Sequence, residues 1–405
     1  MSHRRNPCLI RPAAFLALPL FAASVAALSG CDKLKFGKKE APAPVPTTVV
    51  KKGPTRPDID YAKIRPNELG RIPVIMYHEI GLKPDRNDPG LVRTPTQFKA
   101  DLQSLYNAGF LPVNLSDVVN DSIRLPAGKS PVVLTFDDAR ETQFKLLETD
   151  KALQIDPNCA IGILDAFHKA HPEWEMRGTF FVLPKSKVTM ESFRQVGMGG
   201  QKLAYLVEQG MEIGNHTTLH KSLRNMSPAQ IQEEIGNANN VILASVPDAK
   251  IRAMAVPMGK FPKDKNNLKY LMHGSYQGKR YDFQCVMAAA YRPIPSPAAK
   301  EFNPEKLERI SPADGLNGLG DWVKRLKASN PYPVYVSDGD PNVLSFAKGD
   351  ERLVNFARLE KQGKLANPYS PFGGAGGAKP IVAGSDAAAP PPVITGPGTK
   401  PITGG

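Results

Sequence analysis

Between residues 67 and 365, apolar runs of strand length alternate with stretches of helical period. The runs fall at 72–77, 132–135, 179–183, 211–214 and 251–256, and the helical stretches at 96–108, 160–170, 201–208 and 228–244. Ser227-Pro228 is a helix-start signal, a capping hydroxyl followed by proline at the first helical position. Strands separated by helices pair in parallel through crossovers, so the pattern predicts α/β construction, as a barrel or an open sheet. In such folds chemistry is placed at the C-terminal ends of the strands. No internal repeat is visible.

Three of these strand ends carry polar residues that invite chemistry. The first reads Val132-Val133-Leu134-Thr135-Phe136-Asp137-Asp138. Adjacent carboxylates at the mouth of a buried strand repel each other unless a positive charge, such as a metal ion, lies beside them. A helix cap followed by a first-turn acid would give the same letters. The second end reads Asn215-His216-Thr217-Thr218-Leu219-His220, and one helical turn would set His216 and His220 on the same side. Two imidazoles and a carboxylate make a three-ligand site with positions left for water and substrate. The third, Pro73-Val74-Ile75-Met76-Tyr77-His78, closes on a histidine. His78 is either a satisfied buried side chain or a general acid or base, because imidazole titrates near neutrality.

Composition agrees with a folded middle and two unlike ends. Hydrophobic residues make up 41% and charged residues 22% of the chain, which rules out a wholly disordered protein. The formal charge of +13 sits largely outside the alternating segment. Residues 1–66 account for +8 and residues 366–405 for +1, leaving +4 on 67–365. A nucleic-acid binder concentrates basic residues on its folded domain, so nucleic acid is set aside as a partner.

At the N-terminus Arg4, Arg5 and Arg11 precede the apolar run AAFLALPLFAASVAAL (13–28), which is followed by Leu28-Ser29-Gly30-Cys31. That order describes an export signal over 1–30. The Leu-Ser-Gly-Cys sequence resembles the lipobox of bacterial lipoproteins, which implies lipidation of Cys31 and a membrane anchor. The expected location is therefore the bacterial cell envelope, facing the periplasm. Residues 31–66 mix lysines with Ala-Pro repeats and read as a flexible tether. Residues 366–405, rich in Pro, Gly and Ala, read as a disordered tail. Removing Cys8 with the signal leaves Cys159 and Cys285, either as a disulfide or as two buried thiols.

Together, the three strand ends resemble the polysaccharide deacetylase family, the NodB-like group of carbohydrate esterases, over roughly 70–260. The resemblance implies a distorted (β/α) barrel of the NodB type over 67–365. It implies that Asp137 is the catalytic base and Asp138 a metal ligand, with His216 and His220 as the other two ligands. Arg177-Gly178-Thr179-Phe180-Phe181-Val182 is similar to the strand that lies between those motifs in the family. The opening Pro73–His78 is similar to a circularly permuted subgroup that includes deacetylases of poly-N-acetylglucosamine, which implies that His78 is the catalytic acid. His273 is the other candidate for that role.

Some positions depart from the family pattern. Ala139 stands where a glycine usually follows the Asp pair, and 140–176 reads as an insertion. The family's Arg-x-Pro-Tyr motif appears as Ala255-Val256-Pro257-Met258. The arginine that steadies the base is thus missing there, with Arg140 or Arg252 as replacements, and the backbone of Met258 would help hold the oxyanion. The expected activity is metal-dependent removal of N-acetyl groups from a polysaccharide containing N-acetylglucosamine, by a monomer. His/Asp ligation suits zinc above all, with cobalt, nickel or iron as alternatives. An O-acetyl polysaccharide esterase and a non-catalytic glycan-binding lipoprotein are the competing expectations.

Overall fold

The computed structural model describes residues 56–370, apart from 84–89, 150–151, 185–190, 330 and the side chains of 290 and 291. The signal, Cys31, most of the tether and residues 371–405 lie outside the described residues. Among the described residues no helix is long and apolar enough to cross a membrane.

Eight strands form the central sheet: β1 (Val74–Tyr77), β2 (Phe110–Pro112), β3 (Ser130–Asp137), β4 (Thr179–Val182), β5 (Glu212–Asn215), β6 (Ala253–Ala255), β7 (Cys285–Tyr291) and β8 (Leu307–Arg309). Their spatial order is β1-β3-β4-β5-β6-β7-β8, and each neighbouring pair is parallel. β2 flanks the first half of β3, and β1 pairs with its second half. Past β8, Ile310 bridges Ile75 of β1. Met76 N–H donates to its carbonyl at 2.9 Å, and its own N–H donates to Val74 O at 2.7 Å. The sheet therefore curls back on its first strand as a nearly closed barrel, in agreement with the NodB-type barrel expected.

The five longest helices among the described residues are α1 (Pro95–Asn107), α2 (Ala160–Ala170), α3 (Gly199–Glu208), α4 (Pro228–Ser245) and α5 (Leu319–Lys327). α1 and α4 start at Thr94 and Ser227, each with a capping box and proline in the first turn. Those side chains satisfy N–H groups that have no partner within the helix.

β3 is the pivot, because all eight of its residues are buried. Alternation sends its side chains to two environments. Phe136 stacks on Phe180 at 4.5 Å between ring centroids and meets Phe98 of α1 edge-on, whereas Thr135 and Asp137 face a buried arginine, Arg309. Gly214 leaves room for this layer, since a Cβ there would lie 2.5 Å from the Phe181 ring.

The sequence pattern stops short of the last part of the barrel. β7 reads CVMAAAY and β8 only LER, too small and too short to stand out as apolar runs. Both expected domain boundaries fall inside folded structure. Leu365–Tyr369 is a buried strand, parallel to Val343–Ala347, so the expectation of disorder is corrected for residues 366–369. Pro368 disguised it, yet proline is tolerated at the edge of a two-stranded sheet. At the other end, the short helix Tyr61–Ile64 lies within the expected tether. Tyr61 packs against Tyr369 at 4.9 Å, and Tyr369 O–H donates to Pro66 O at 2.8 Å. The 140–176 segment holds the hairpin Leu146–Glu148/Leu153–Ile155 and α2. Cys159 and Cys285 are free buried thiols, so the open choice between them resolves against a disulfide.

Candidate active site

The ends of β1, β3 and β5 bring their polar residues into one cluster. Parallel register sets Tyr77 beside Phe136, so His78 and Asp137 leave the sheet side by side. His78 Nε2 lies 3.9 Å from Asp137 Oδ2, and His216 Nε2 lies 3.8 Å from the same oxygen. Asp138 Oδ1 is 3.4 Å from His216 Nε2 and 3.5 Å from His220 Nε2. One ligand atom from each of Asp138, His216 and His220 falls within 4.8 Å of the others.

The His216–His220 segment reaches this geometry without the expected helical turn. It is a loop in which Thr217 and His220 take left-handed backbone, φ 66° and 52°. The backbone is held from outside: Thr218 and Leu219 N–H donate to Glu234 Oε2 of α4 at 3.2 and 2.9 Å. Those donors are satisfied by a carboxylate instead of by a helix. The imidazoles still end 4.9 Å apart. Asp138 and Ala139 are also left-handed, φ 75° and 47°. A glycine after the Asp pair would relax that turn, and Ala139 holds it at a steric cost.

Asp137 is 2% exposed, and its charge is met by an arginine that the sequence reading did not find. Arg309 Nη1 and Nη2 donate to Asp137 Oδ1 and Oδ2 at 2.7 and 2.8 Å. Its other donors reach Thr135 Oγ1 (3.2 Å) and Ala288 O (3.1 Å), which fixes the guanidinium plane. This bidentate pair supplies the cation missing from the Ala255–Met258 motif. Of the two replacements expected, Arg140 instead grips Asp138 Oδ2 at 2.9 Å. Arg252 lines a small cavity with Glu212 and Cys285 at the opposite ends of the strands. The signal for Arg309 was an arginine closing a short run in Leu307-Glu308-Arg309-Ile310, beyond the last strand the pattern revealed.

These contacts set the protonation states. Burial alone would raise the Asp137 carboxyl, but Arg309 and then His216 bring it below the usual range. Burial raises Asp138 as well, and the adjacent His216 imidazole reverses the shift, holding it well below ordinary carboxylates. Burial opposes a charge on His216, yet the two aspartates raise its pKa. His220 is lowered by burial and by His216. His78 is lowered chiefly by burial, against the pull of Asp137 and Asp138.

Asp138 Oδ1 and His216 Nε2 are buried without hydrogen-bond partners. Unpartnered buried acceptors are costly, so a cluster that aims them at one another fits a cation. His216 Nδ1 is bound to Ala255 O at 2.9 Å, which makes Nδ1 the protonated nitrogen and turns the Nε2 lone pair inward. Asp138, His216 and His220 are thus a candidate metal centre. Met258 follows in the turn Pro257–Gly259, with φ 55° and its side chain half exposed. His273 sits on a separate hairpin, bonded to Asp282 at 2.6 Å on an exposed edge, and does not join the cluster.

Comparison with known proteins shows what this geometry is similar to. Residues 124–272 match the family model described as polysaccharide deacetylase. This matched span, under half of the chain, is similar to a polysaccharide deacetylase domain. The matched span contains Asp137, Asp138, His216 and His220, while His78 and Arg309 lie outside it on either side. YxkH of Bacillus subtilis (strain 168), provisionally named a polysaccharide deacetylase, is 20% identical over 280 residues, 67% of this chain and 82% of YxkH. The chitooligosaccharide deacetylase of Bradyrhizobium sp. (strain ANU 289) is 26% identical over 138 residues, 34% of this chain and 50% of that protein. The chain thus spans about half the length of the second relative. Among solved structures, the Streptococcus pyogenes deacetylase PplD in complex with acetate aligns with 63% of this chain and 97% of its own, at 17% identity and a TM-score of 0.43.

Proposed function

We propose that this protein hydrolyses N-acetyl groups on a polysaccharide containing N-acetylglucosamine, using a divalent metal, most simply zinc. The observation that carries this reading is the joint placement of Asp137, Asp138, His216, His220 and His78 at three strand ends, with two ligand atoms left unpartnered. The match of residues 124–272 to the polysaccharide deacetylase model supports hydrolysis of acetyl groups. The Bradyrhizobium relative, a chitooligosaccharide deacetylase, supports the sugar.

Asp138, His216 and His220 would hold the ion. When bound, such an ion would supply Lewis acidity for the acetyl carbonyl and for a water at the site. Asp137, kept ionised by Arg309, accepts the proton of the attacking water. The two Arg309 bonds also fix the carboxylate plane, so the same oxygen always faces the site. The backbone N–H of Met258 is assigned to the oxyanion. His78 delivers a proton to the departing amine; burial makes its imidazolium a stronger acid than usual, which favours that donation. The products are acetate and a glucosamine unit. Envelope location through a lipid on Cys31 belongs to the same proposal and rests on the Leu-Ser-Gly-Cys sequence.

The test is acetate release by the full-length protein from N-acetylglucosamine oligomers, with zinc and after chelation. Metal-dependent release from the oligomers supports the reading. Release only from O-acetylated xylan makes the protein an esterase, and stoichiometric metal with no release from either substrate leaves a glycan-binding protein.

A further inference from the structure

Gln143 is fully buried in the segment that interrupts the family pattern, and it reaches both reacting strands. Its Nε2 donates to the carbonyl oxygens of His78 and Asp137. The pairing of β1 with β3 ends one residue earlier, at Tyr77 and Phe136, so neither carbonyl has a ladder partner between those two strands. Both are acceptors, so only the amide nitrogen can face them, and the orientation of the Gln143 side chain is fixed. Next to it, Thr142 Oγ1 accepts from Ile80 N–H at 3.1 Å.

The bracket is anchored from behind. Thr142 and Gln143 carbonyls accept from Ala160 and Ile161 N–H, at the start of α2, at 3.1 and 3.0 Å. These are donors with no partner inside the helix. Phe144 then packs edge-on against Phe193 and Tyr205. We propose that Gln143 is a positioning residue that sets the spacing of His78 and Asp137, a contribution of the 140–176 segment to the site beside the grip of Arg140 on Asp138. The inference rests on the acid and base roles assigned above.

Gln143→Met keeps the side chain's length and removes both donors. Misplacement of reacting groups by about 1 Å costs up to ~100-fold in rate. The full-length Gln143→Met protein should therefore lose roughly 10- to 100-fold in kcat for acetate release. KM and zinc affinity should stay close to wild type, because Asp138, His216 and His220 take no bond from Gln143. A merely structural role would lower folded protein and bound zinc together, leaving kcat per zinc-loaded molecule unchanged. That result, or a loss of zinc affinity in step with the rate, overturns the proposal. Should Gln143→Met fail to fold, Gln143→Glu, which sets acceptors against the two carbonyls, carries the same comparison. If wild-type protein releases no acetate from any acetylated glycan, the hydrolase reading has failed, and the bracket is judged by hydrogen exchange. Amides of 77–80 and 136–139 should then exchange about tenfold faster in Gln143→Met than in wild type, with those of β5 unchanged; equal rates reject it.

Discussion

Asp137 and Asp138 at the C-terminal ends of the strands can be compared with Glu68 and Asp338 at the N-terminal ends. Ser337, beside Asp338, bonds Gly128 and Lys129 just before β3 begins, which places the second group at the far end of that strand. All four carboxyls are buried. The first pair faces Arg309, Arg140 and three imidazoles, and both pKa values are driven down. The second pair takes its hydrogen bonds from neutral donors, with Lys364 acting on it only as a nearby charge. Glu68 accepts from Tyr335 O–H at 3.1 Å and from Ser345 N–H at 2.9 Å, and Asp338 accepts from Ser345 O–H at 2.6 Å. Burial dominates there: Glu68 is raised well above its ordinary value and Asp338 to about 6. Glu68 and Asp338 are satisfied, whereas Asp138 Oδ1 is not. Burial of acids is therefore no mark of a site in this fold. A carboxylate kept charged with an acceptor left open is such a mark.

The largest expected effects break the first group. Asp137→Asn should retain zinc and lose about 10³-fold or more in acetate release, because the general base is gone. Asp138→Asn should lose zinc itself, read by metal analysis after dialysis. A zinc-loaded Asp138→Asn protein with wild-type rate would sink the ligand assignment. Arg309→Met comes next. It leaves a buried carboxylate without its cation, a change that costs about 3–5 kcal/mol of stability. Burial then dominates at Asp137 and its pKa rises. The rate needs the ionised base, so the acidic limb of the pH–rate profile should move to higher pH. An unmoved limb would show that Arg309 does not hold the charge of Asp137. Arg309→Lys should recover little, since an ammonium cannot bond both oxygens in the plane of the fork.

The alternation of strands and helices was legible in the sequence because it depends on local periodicity, and the early strands and α1 to α4 follow it closely. The site was legible where its residues are adjacent, as in Asp137-Asp138, or closely spaced, as in His216 and His220. Arg309 was not, because its partner lies 172 residues away and no local pattern links them. Gln143 was hidden for a related reason: it serves two backbone carbonyls, which leave no trace in side-chain letters. The spacing of His216 and His220 suggested the right proximity through the wrong local structure. A loop propped by Glu234 gave the closeness that a helical turn would have given.

The smallest effect sharpens the second group. Asp338→Asn can keep the local bonds, with its Oδ1 accepting from Asp340 N–H and its Nδ2 donating to Ser345 Oγ. It removes a carboxyl whose folded pKa is about 6 against an ordinary 3.8. A raised folded value means that the folded state binds the proton more readily, so this group lowers stability as pH rises from about 4 through 6. Its full penalty stands above that window and amounts to at most ~3 kcal/mol. Glu68 acts in the same direction, while His78, held below its ordinary value, loses its contribution as pH falls. Comparing variant with parent cancels the His78 term. Asp338→Asn should therefore gain more in Tm at pH 7 than at pH 5, with acetate release unchanged. An equal shift at both pH values would mean that Asp338 titrates as it does in the unfolded chain, and the contrast between the two ends would lose its electrostatic basis.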